Sequence, residues 1–364
     1  MSTLNERHTL AEQVAQAMGK SVYNNVEAHK DITPRLELQQ KSPKLMTLEE
    51  AIRHSGLKDG MTISFHHHFR GGDKVVNMVV AKLAEMGFKG LHLAASSLQD
   101  VHEPLIEHIR NGVITEISTS GLRGELAKEI SHGLMEKPVV FRSHGGRGEA
   151  IASGELHIDV AFLGASSSDP LGNACGYSRS ENAKSICGSL GYALPDAHYA
   201  DKVVILTDDL VPYPNTPNSI SEHDVDYVVE VESVGDSSKI ASGAIRDTKN
   251  PRDILLAQQA AKVIVNSGYF KNGFSIQTGS GGASLAAVKY IRQSMIDQGI
   301  KASFALGGIT AHMVKMHEEG LIERLIDVQS FDKVAAESLK NDPKHKEVSA
   351  CEYASMHEQG AATH

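Results

Sequence analysis

The stretch from Gly273 to Ser284, G-F-S-I-Q-T-G-S-G-G-A-S, constrains what this chain can fold into more than any other segment. A β-type apolar run, Phe274 and Ile276, enters a loop holding Gly279, Ser280, Gly281 and Gly282, and the loop opens directly into a helical pattern that begins at Ala283 and Ser284. Strand, glycine turn and helix in immediate succession are the unit of an α/β fold. Glycines let backbone N–H groups approach a ligand, and the helix N-terminus beyond them favours negative charge, so the expected ligand is an anion. The same segment also reads as a plain tight strand-to-helix turn. Nucleotide readings fit poorly: no Lys-Ser/Thr pair follows as in a P-loop, and G-S-G-G-A lacks the G-x-G-x-x-G spacing.

The rest of the chain repeats the same unit. Strands are predicted at 62–65, 91–94, 115–118, 139–141, 159–163, 203–206 and 227–231, with helical patterns between several of them, including 74–86. Near-continuous apolar strands alternating with helices imply parallel sheets covered on both faces. Polar residues 236–251 lose this periodicity and mark a domain boundary. A second series then runs helix 251–267, strand and Gly-rich loop 273–282, helix 283–298, strand 302–306, a Gly307-Gly308 turn, helix 310–319 and strand 326–328. The expected organisation is an N-terminal helical arm and linker over 1–44, a first α/β domain over 45–240 and a second over 241–364.

Composition excludes several functions. At 364 residues, 41% hydrophobic and 22% charged, the chain has ample core for two or three domains and no apolar run long enough to span a bilayer. The start, M-S-T-L-N-E-R-H-T-L, lacks the apolar stretch of a signal peptide, so a cytoplasmic location is expected. Cys175, Cys187 and Cys351 form no C-x-x-C pair and leave one thiol over in any pairing, which fits reduced cysteines. A formal net charge of -9 without a basic run argues against nucleic acid.

Three loops of the first domain hold candidate chemistry. Phe65-His-His-His-Phe-Arg-Gly-Gly-Asp73 follows a predicted strand, and in open α/β sheets ligands sit outside the carboxyl ends of strands. His66, His67, His68 and Arg70 there could bind carboxylates, form a polar network or lie in solvent. A metal is disfavoured, because consecutive histidines on an extended chain point in alternating directions. Phe141-Arg-Ser-His-Gly-Gly-Arg-Gly148 places His144 and Arg147 where the backbone is open, and a guanidinium fork matches a carboxylate. An internal pair between Arg147 and an aspartate such as Asp159 fits equally well. The hydroxyl-rich segment 164–174 is explained by turn formation around Asp169, Pro170 and Gly172 alone.

Taken together, these segments resemble the citrate lyase alpha chain family. The resemblance rests on D-G-M-T-I-S-F-H-H-H-F-R at 59–70, L-A-A-S-S-L-Q-D-V-H-E-P-L-I-E-H at 93–108, S-H-G-G-R at 143–147 and H-I-D-V-A-F-L-G-A at 157–165. It continues in C-G-S-L-G-Y-A-L-P-D-A at 187–197, V-P-Y-P-N-T-P at 211–217, S-G-Y-F-K-N-G-F-S-I-Q-T-G-S-G-G-A-S-L-A at 267–286 and F-A-L-G-G-I-T at 304–310, and so covers residue 40 onward.

What the resemblance implies is more specific than the residues alone. The fold would be α/β, with tandem coenzyme A transferase-like, Rossmann-like three-layer domains and mainly parallel sheets. The second domain would be incomplete, because family chains continue beyond the position of Gly360. The activity would be acyl exchange on a carrier thioester: acetyl carrier plus citrate gives citryl carrier plus acetate. A beta subunit would cleave the citryl thioester, and a gamma subunit, the acyl carrier protein, would bear a coenzyme A-derived phosphopantetheine-type arm, with acetyl-CoA as an analogue and no cofactor attached to this chain. The assembly would be an oligomer without nucleic acid or membrane.

His66, His67, His68, Arg70, His144 and Arg147 would bind citrate. Gly279, Ser280, Gly281, Gly282, Ser284, Gly307 and Gly308 would bind the acyl thioester or coenzyme A. No metal is expected. Ser180-Glu-Asn-Ala183 is similar to the S-E-N-G motif of related transferases, whose glutamate is the nucleophile, but it lies in the first domain rather than the second. The resemblance therefore favours direct attack by a citrate carboxylate through a mixed anhydride, with Glu181 the only covalent candidate. The alternative is a shortened subunit that serves as an assembly scaffold or binds coenzyme A or phosphate ligands.

Overall fold

A computed structural model describes residues 44–241, 248–279 and 281–354, with residues 13 and 17 in helical conformation. Apart from these and Lys44, the predicted arm over 1–44 lies outside the described residues, as do 242–247 of the polar segment and Ser280. From Lys44 onward the described residues belong to one compact unit.

The first sheet has seven strands. They are β1 (Thr62–Phe65), β2 (Leu91–Ala95), β3 (Ile114–Thr119), β4 (Val140–Phe141), β5 (Val160–Ala165), β8 (Lys202–Thr207) and β9 (Tyr227–Glu230), while β6 (Ser167–Ser168) and β7 (Ala174–Cys175) form a small antiparallel pair after β5. Their order is β4-β3-β2-β1-β5-β8-β9, and every neighbouring pair is parallel. All six residues of β5 are buried, as expected for a central strand covered on both faces, whereas both residues of edge strand β4 are exposed. Helices α1 (Leu48–His54), α2 (Val75–Glu85), α3 (Leu105–Arg110), α4 (Gly124–Ser131), α5 (His144–Ala152) and α6 (Leu194–Tyr199) connect or flank these strands. The chain adds β2, β3 and β4 on one side of β1, then returns to add β5 on the other. The β1/β5 boundary is thus a switch point, where loops leave in opposite directions and open a crevice at the carboxyl ends.

The second sheet, ordered β10-β11-β12-β13, is also parallel: β10 (Phe274–Ile276), β11 (Ala302–Ile309), β12 (Ile322–Ser330) and β13 (His345–Glu347). It carries α7 (Pro251–Val265), α8 (Gly282–Gln298), α9 (Ala311–Glu318), α10 (Lys333–Asn341) and α11 (Ala350–Ala354). The α/β, mainly parallel class expected from the apolar runs is therefore the class found. Several elements differ: the strand expected at 326–328 is the longer β12, the β6/β7 pair, α10, β13 and α11 were not predicted, and Gly307 and Gly308 do not follow the strand but lie inside β11, at a register shift against β12. Glycine within a strand commonly marks such a bulge, and Gly307 has φ 104°.

The two sheets meet through the 187–192 segment. Gly188 Cα sits so close to β12 that a Cβ would come within 2.0 Å of Ser330 Oγ, and one on Gly191 would come within 2.3 Å of the Val348 carbonyl. Ser189 Oγ donates to the Asp327 carbonyl at 2.8 Å, and the Leu190 N–H donates to the Glu347 carboxylate.

Candidate functional site

The histidine run leaves β1 at the switch point and turns inward. His66, His67 and His68 are all buried, the last completely. The His68 N–H donates to His66 Nδ1 at 3.4 Å, which leaves the His66 proton on Nε2, 2.9 Å from the Gly164 carbonyl at the end of β5. His67 Nδ1 lies 2.6 Å from Ser96 Oγ, just after β2. The Tyr192 N–H donates to His68 Nε2 at 3.3 Å, so neutral His68 carries its proton on Nδ1, a buried atom with no partner among the described residues. Burial pushes the His66 imidazolium down to about 4, and it holds His67 and His68 well below the usual histidine range, helped by neighbouring positive groups. At neutral pH the run is therefore uncharged.

His144 joins this group from the start of α5. Its ring centroid stands 5.6 Å from His67 and 5.1 Å from Tyr192, and Tyr192 stacks on His67 at 5.3 Å. Loss of hydration in that stack, then the charges of Arg147 and Arg70, lower the His144 pKa. From the second sheet, Gln329 Nε2 donates to the His67 carbonyl at 3.1 Å.

The two arginines of the predicted site differ in kind. Arg70 is 6% exposed, its backbone takes φ 51°, and its Nε is a buried donor without a partner among the described residues. Among the described residues no carboxylate pairs with it; its guanidinium instead lies over the Phe331 ring, 5.0 Å from the centroid. A buried unpaired cation is costly, so such a group is poised for an anion. Arg147 is already committed. Its Nη1 and Nη2 donate to Asp196 at 2.9 and 2.8 Å, and Nη2 also reaches Ser64 Oγ at 2.8 Å. The internal-pair reading of Arg147 describes its geometry, with Asp196 rather than Asp159 as partner; Asp159 instead accepts the Thr62 N–H at 2.7 Å.

The glycine turn lies at the edge of the second sheet. Gly281 caps α8 in extended conformation, φ -72°, and as glycine gives the first N–H groups of the helix no side-chain cap. Ser284 Oγ lies over Gly279, and a cleft of about 350 Å³ runs between α7, Ile276, Thr278, Gly279 and α8. The β11 glycines connect this turn to the histidine site. Gly307 faces Gln277, next to the turn, while a Cβ on Gly308 would come within 2.2 Å of Phe331 Cζ. Glu181 is exposed in a turn. Among the described residues a three-ligand group with metal-like spacing is His157, Asp159 and Asp201, at the amino ends of β5 and β8, far from the histidine run in strand direction.

The structure therefore gathers His66, His67, His68, Arg70 and His144, and adds Tyr192, Gln329 and Phe331, which the sequence had not singled out. The one sequence signal for Tyr192 was its place in C-G-S-L-G-Y-A-L-P-D-A.

Residues 42–364 match the family model for citrate lyase, alpha subunit. The chain is 58% identical to the citrate lyase alpha chain of Haemophilus influenzae over 94% of its own length and 67% of the relative's. It is 60% identical to the Escherichia coli citrate lyase alpha chain, covering 86% of this chain and 61% of the relative. A crystal structure from Streptococcus mutans, assigned as the alpha subunit of citrate lyase in complex with citrate, superposes with a TM-score of 0.83 at 57% identity, covering 88% of this chain and 62% of that one. The chain thus spans about two thirds of the length of these relatives.

Proposed function

We propose, from the premise that this chain belongs to the citrate lyase alpha-subunit family, that it carries the citrate-accepting half of an acyl exchange on a carrier thioester. The observation that carries this reading is Arg70: a buried guanidinium with no carboxylate partner among the described residues, at the switch point of the first sheet, on a turn whose three histidines are neutral. Citrate brings carboxylates to such a site. Arg70 offers charge, and His68 Nδ1 offers a proton that no described residue accepts. Neutral imidazoles donate hydrogen bonds without competing with Arg70 for the same negative charge.

The glycine turn at the head of α8 fits the other reactant. A thioester carbonyl, as it becomes an oxyanion, is stabilised by fixed N–H donors, and the phosphates of a coenzyme A-derived arm favour a helix N-terminus. A citrate carboxylate oxygen would attack the acetyl thioester carbonyl, giving a mixed anhydride and releasing the thiolate. The thiolate would then attack the citryl carbonyl of the anhydride, expelling acetate. The protein supplies positioning and electrostatics, and no covalent residue is required; the exposed Glu181 plays no part. The partners in this reading are the beta subunit, which cleaves the citryl thioester, and the gamma subunit, which bears the arm, in a cytoplasmic oligomer. No helix among the described residues is long and apolar enough to cross a membrane.

The test is calorimetric titration of citrate into the chain and into Arg70→Gln. Removal of a charge-assisted contact is expected to weaken citrate about ten- to a hundredfold while leaving acetyl-CoA affinity in place. Equal citrate affinity in a folded Arg70→Gln protein would overturn the assignment.

A further inference from the structure

Among the described residues no side chain of the opposite charge holds Arg70, yet its guanidinium has a fixed seat. That seat is the Phe331 ring, which comes from the other sheet, immediately after β12. Phe331 is itself tightly placed. Its N–H donates to the Ile309 carbonyl at 2.8 Å, and the next residue, Asp332, caps two helices at once, accepting from the Ala311 N–H at 2.7 Å and the Ala335 N–H at 2.9 Å. The tip of the ring presses on Gly308, where any Cβ would come within 2.2 Å of Cζ.

We propose that Phe331 is a positioning residue for the anion site: its ring face holds the Arg70 guanidinium, across the junction of the two sheets, in the orientation that receives a substrate carboxylate. A ring face attracts a cation without neutralising it, so it fixes the group and leaves its hydrogen-bond donors for the ligand. A carboxylate in the same place would fix Arg70 and also compete with the substrate. Gly308 belongs to this device, since only a residue without a side chain admits the ring there. The β11 bulge at Gly307-Gly308 thereby gains a role: it sets the strand end that seats Phe331.

This inference rests on the citrate reading above, and its test separates the two. Citrate binding to the full chain is measured by calorimetry with Phe331 replaced by a series of fluorinated phenylalanines, which keep the shape of the ring while draining charge from its face, and with Phe331→Leu as a second variant. Affinity is expected to fall stepwise with fluorination, reaching about three- to thirtyfold, the span of a desolvated cation–π contact. Acetyl-CoA affinity should stay level across the fluorinated series, while the melting temperature falls only by what the weakened ring–guanidinium contact accounts for. Citrate affinity that is indifferent to fluorination, in a wild type that binds citrate, would overturn the positioning role and leave the functional reading standing. A fall in acetyl-CoA affinity that tracks the fall in citrate affinity would reduce Phe331 to packing and overturn it too. Absence of citrate binding in the wild-type chain would overturn the functional reading and this inference with it.

Discussion

Arg147 and Asp196 form a forked ion pair inside the first unit, with Nη1 2.9 Å from Oδ2 and Nη2 2.8 Å from Oδ1 and neither side chain more than 3% exposed. The pair joins α5 to α6, and through Ser64 it reaches β1, the strand that delivers the histidine run. Arg147 thus shapes the site from behind.

Removal of one member of a buried pair leaves the other as an uncompensated charge, a loss of about 3–5 kcal/mol. Arg147→Ala is therefore expected to lower stability by that amount in chemical denaturation and to weaken citrate and acetyl-CoA together. A well-folded Arg147→Ala protein with a selective citrate defect would return this arginine to the ligand-binding surface.

Much of the fold was legible because its strands are buried on both faces and read as apolar runs. β1 falls on the predicted residues, and the other strands of the first sheet shift by only one or two at their ends. The partner of Arg147 was not legible, since Asp196 lies 49 residues away and only the packing of α5 against α6 brings them together. Gly307 and Gly308 were misplaced for a related reason. A glycine pair after an apolar run signals a turn locally, and only the distant Phe331 ring explains why the strand needs glycine within it. The histidine run was legible as a site at a strand end, but its neutrality and its tautomers depend on Gly164, Ser96 and Tyr192.

The buried histidines make stability depend on pH. A histidine whose folded pKa is depressed stays neutral in the native state while the unfolded chain takes up protons, so stability is lost as pH falls from about 6.5. For His66, whose pKa is pushed down to about 4, the loss accrues between 6.5 and 4 and reaches about 3 kcal/mol. His67 and His68 act in the same direction. Denaturation midpoints followed from pH 7 to 4 should fall steeply in the wild type and less steeply in His66→Gln; parallel curves would mean that His66 is not buried neutral.

Glu347 provides the opposite slope. It accepts from the Leu190 N–H and lies 3.2 Å from Ser189 Oγ, tying β13 to the 187–192 segment, while burial, reinforced by Asp327, pushes its carboxyl up to about 7. An acid with a raised folded pKa binds more protons in the native than in the unfolded state, so its contribution weakens as pH rises from about 4.5 to 7. Glu347→Gln keeps an acceptor and removes the charge. The stability difference between variant and wild type is expected to move in favour of the variant across that window and to level off above it. A difference that does not change with pH would show that Glu347 stays ionised in the folded protein.

The glycines of the chain should divide by experiment into those that the fold requires and those that a ligand requires. Gly188 has φ 79°, and a Cβ there would meet Ser330 Oγ at 2.0 Å and Ala336 Cβ at 3.0 Å. Gly188→Ala combines left-handed strain with overpacking at the junction of the sheets, so a loss of about 2–4 kcal/mol is expected. Gly281 is different: its backbone is extended at φ -72°, and a Cβ there would have nothing within 4 Å. Gly281→Ala should leave stability within about 0.5 kcal/mol of wild type, as for a surface substitution. If the turn holds the acyl thioester, the same methyl stands between the ligand and the N–H groups at the head of α8, and acetyl-CoA binding weakens while citrate binding does not. Unchanged acetyl-CoA affinity in Gly281→Ala would place the thioester elsewhere, and a large loss of stability would mean that the turn is packed more closely than its open surroundings indicate.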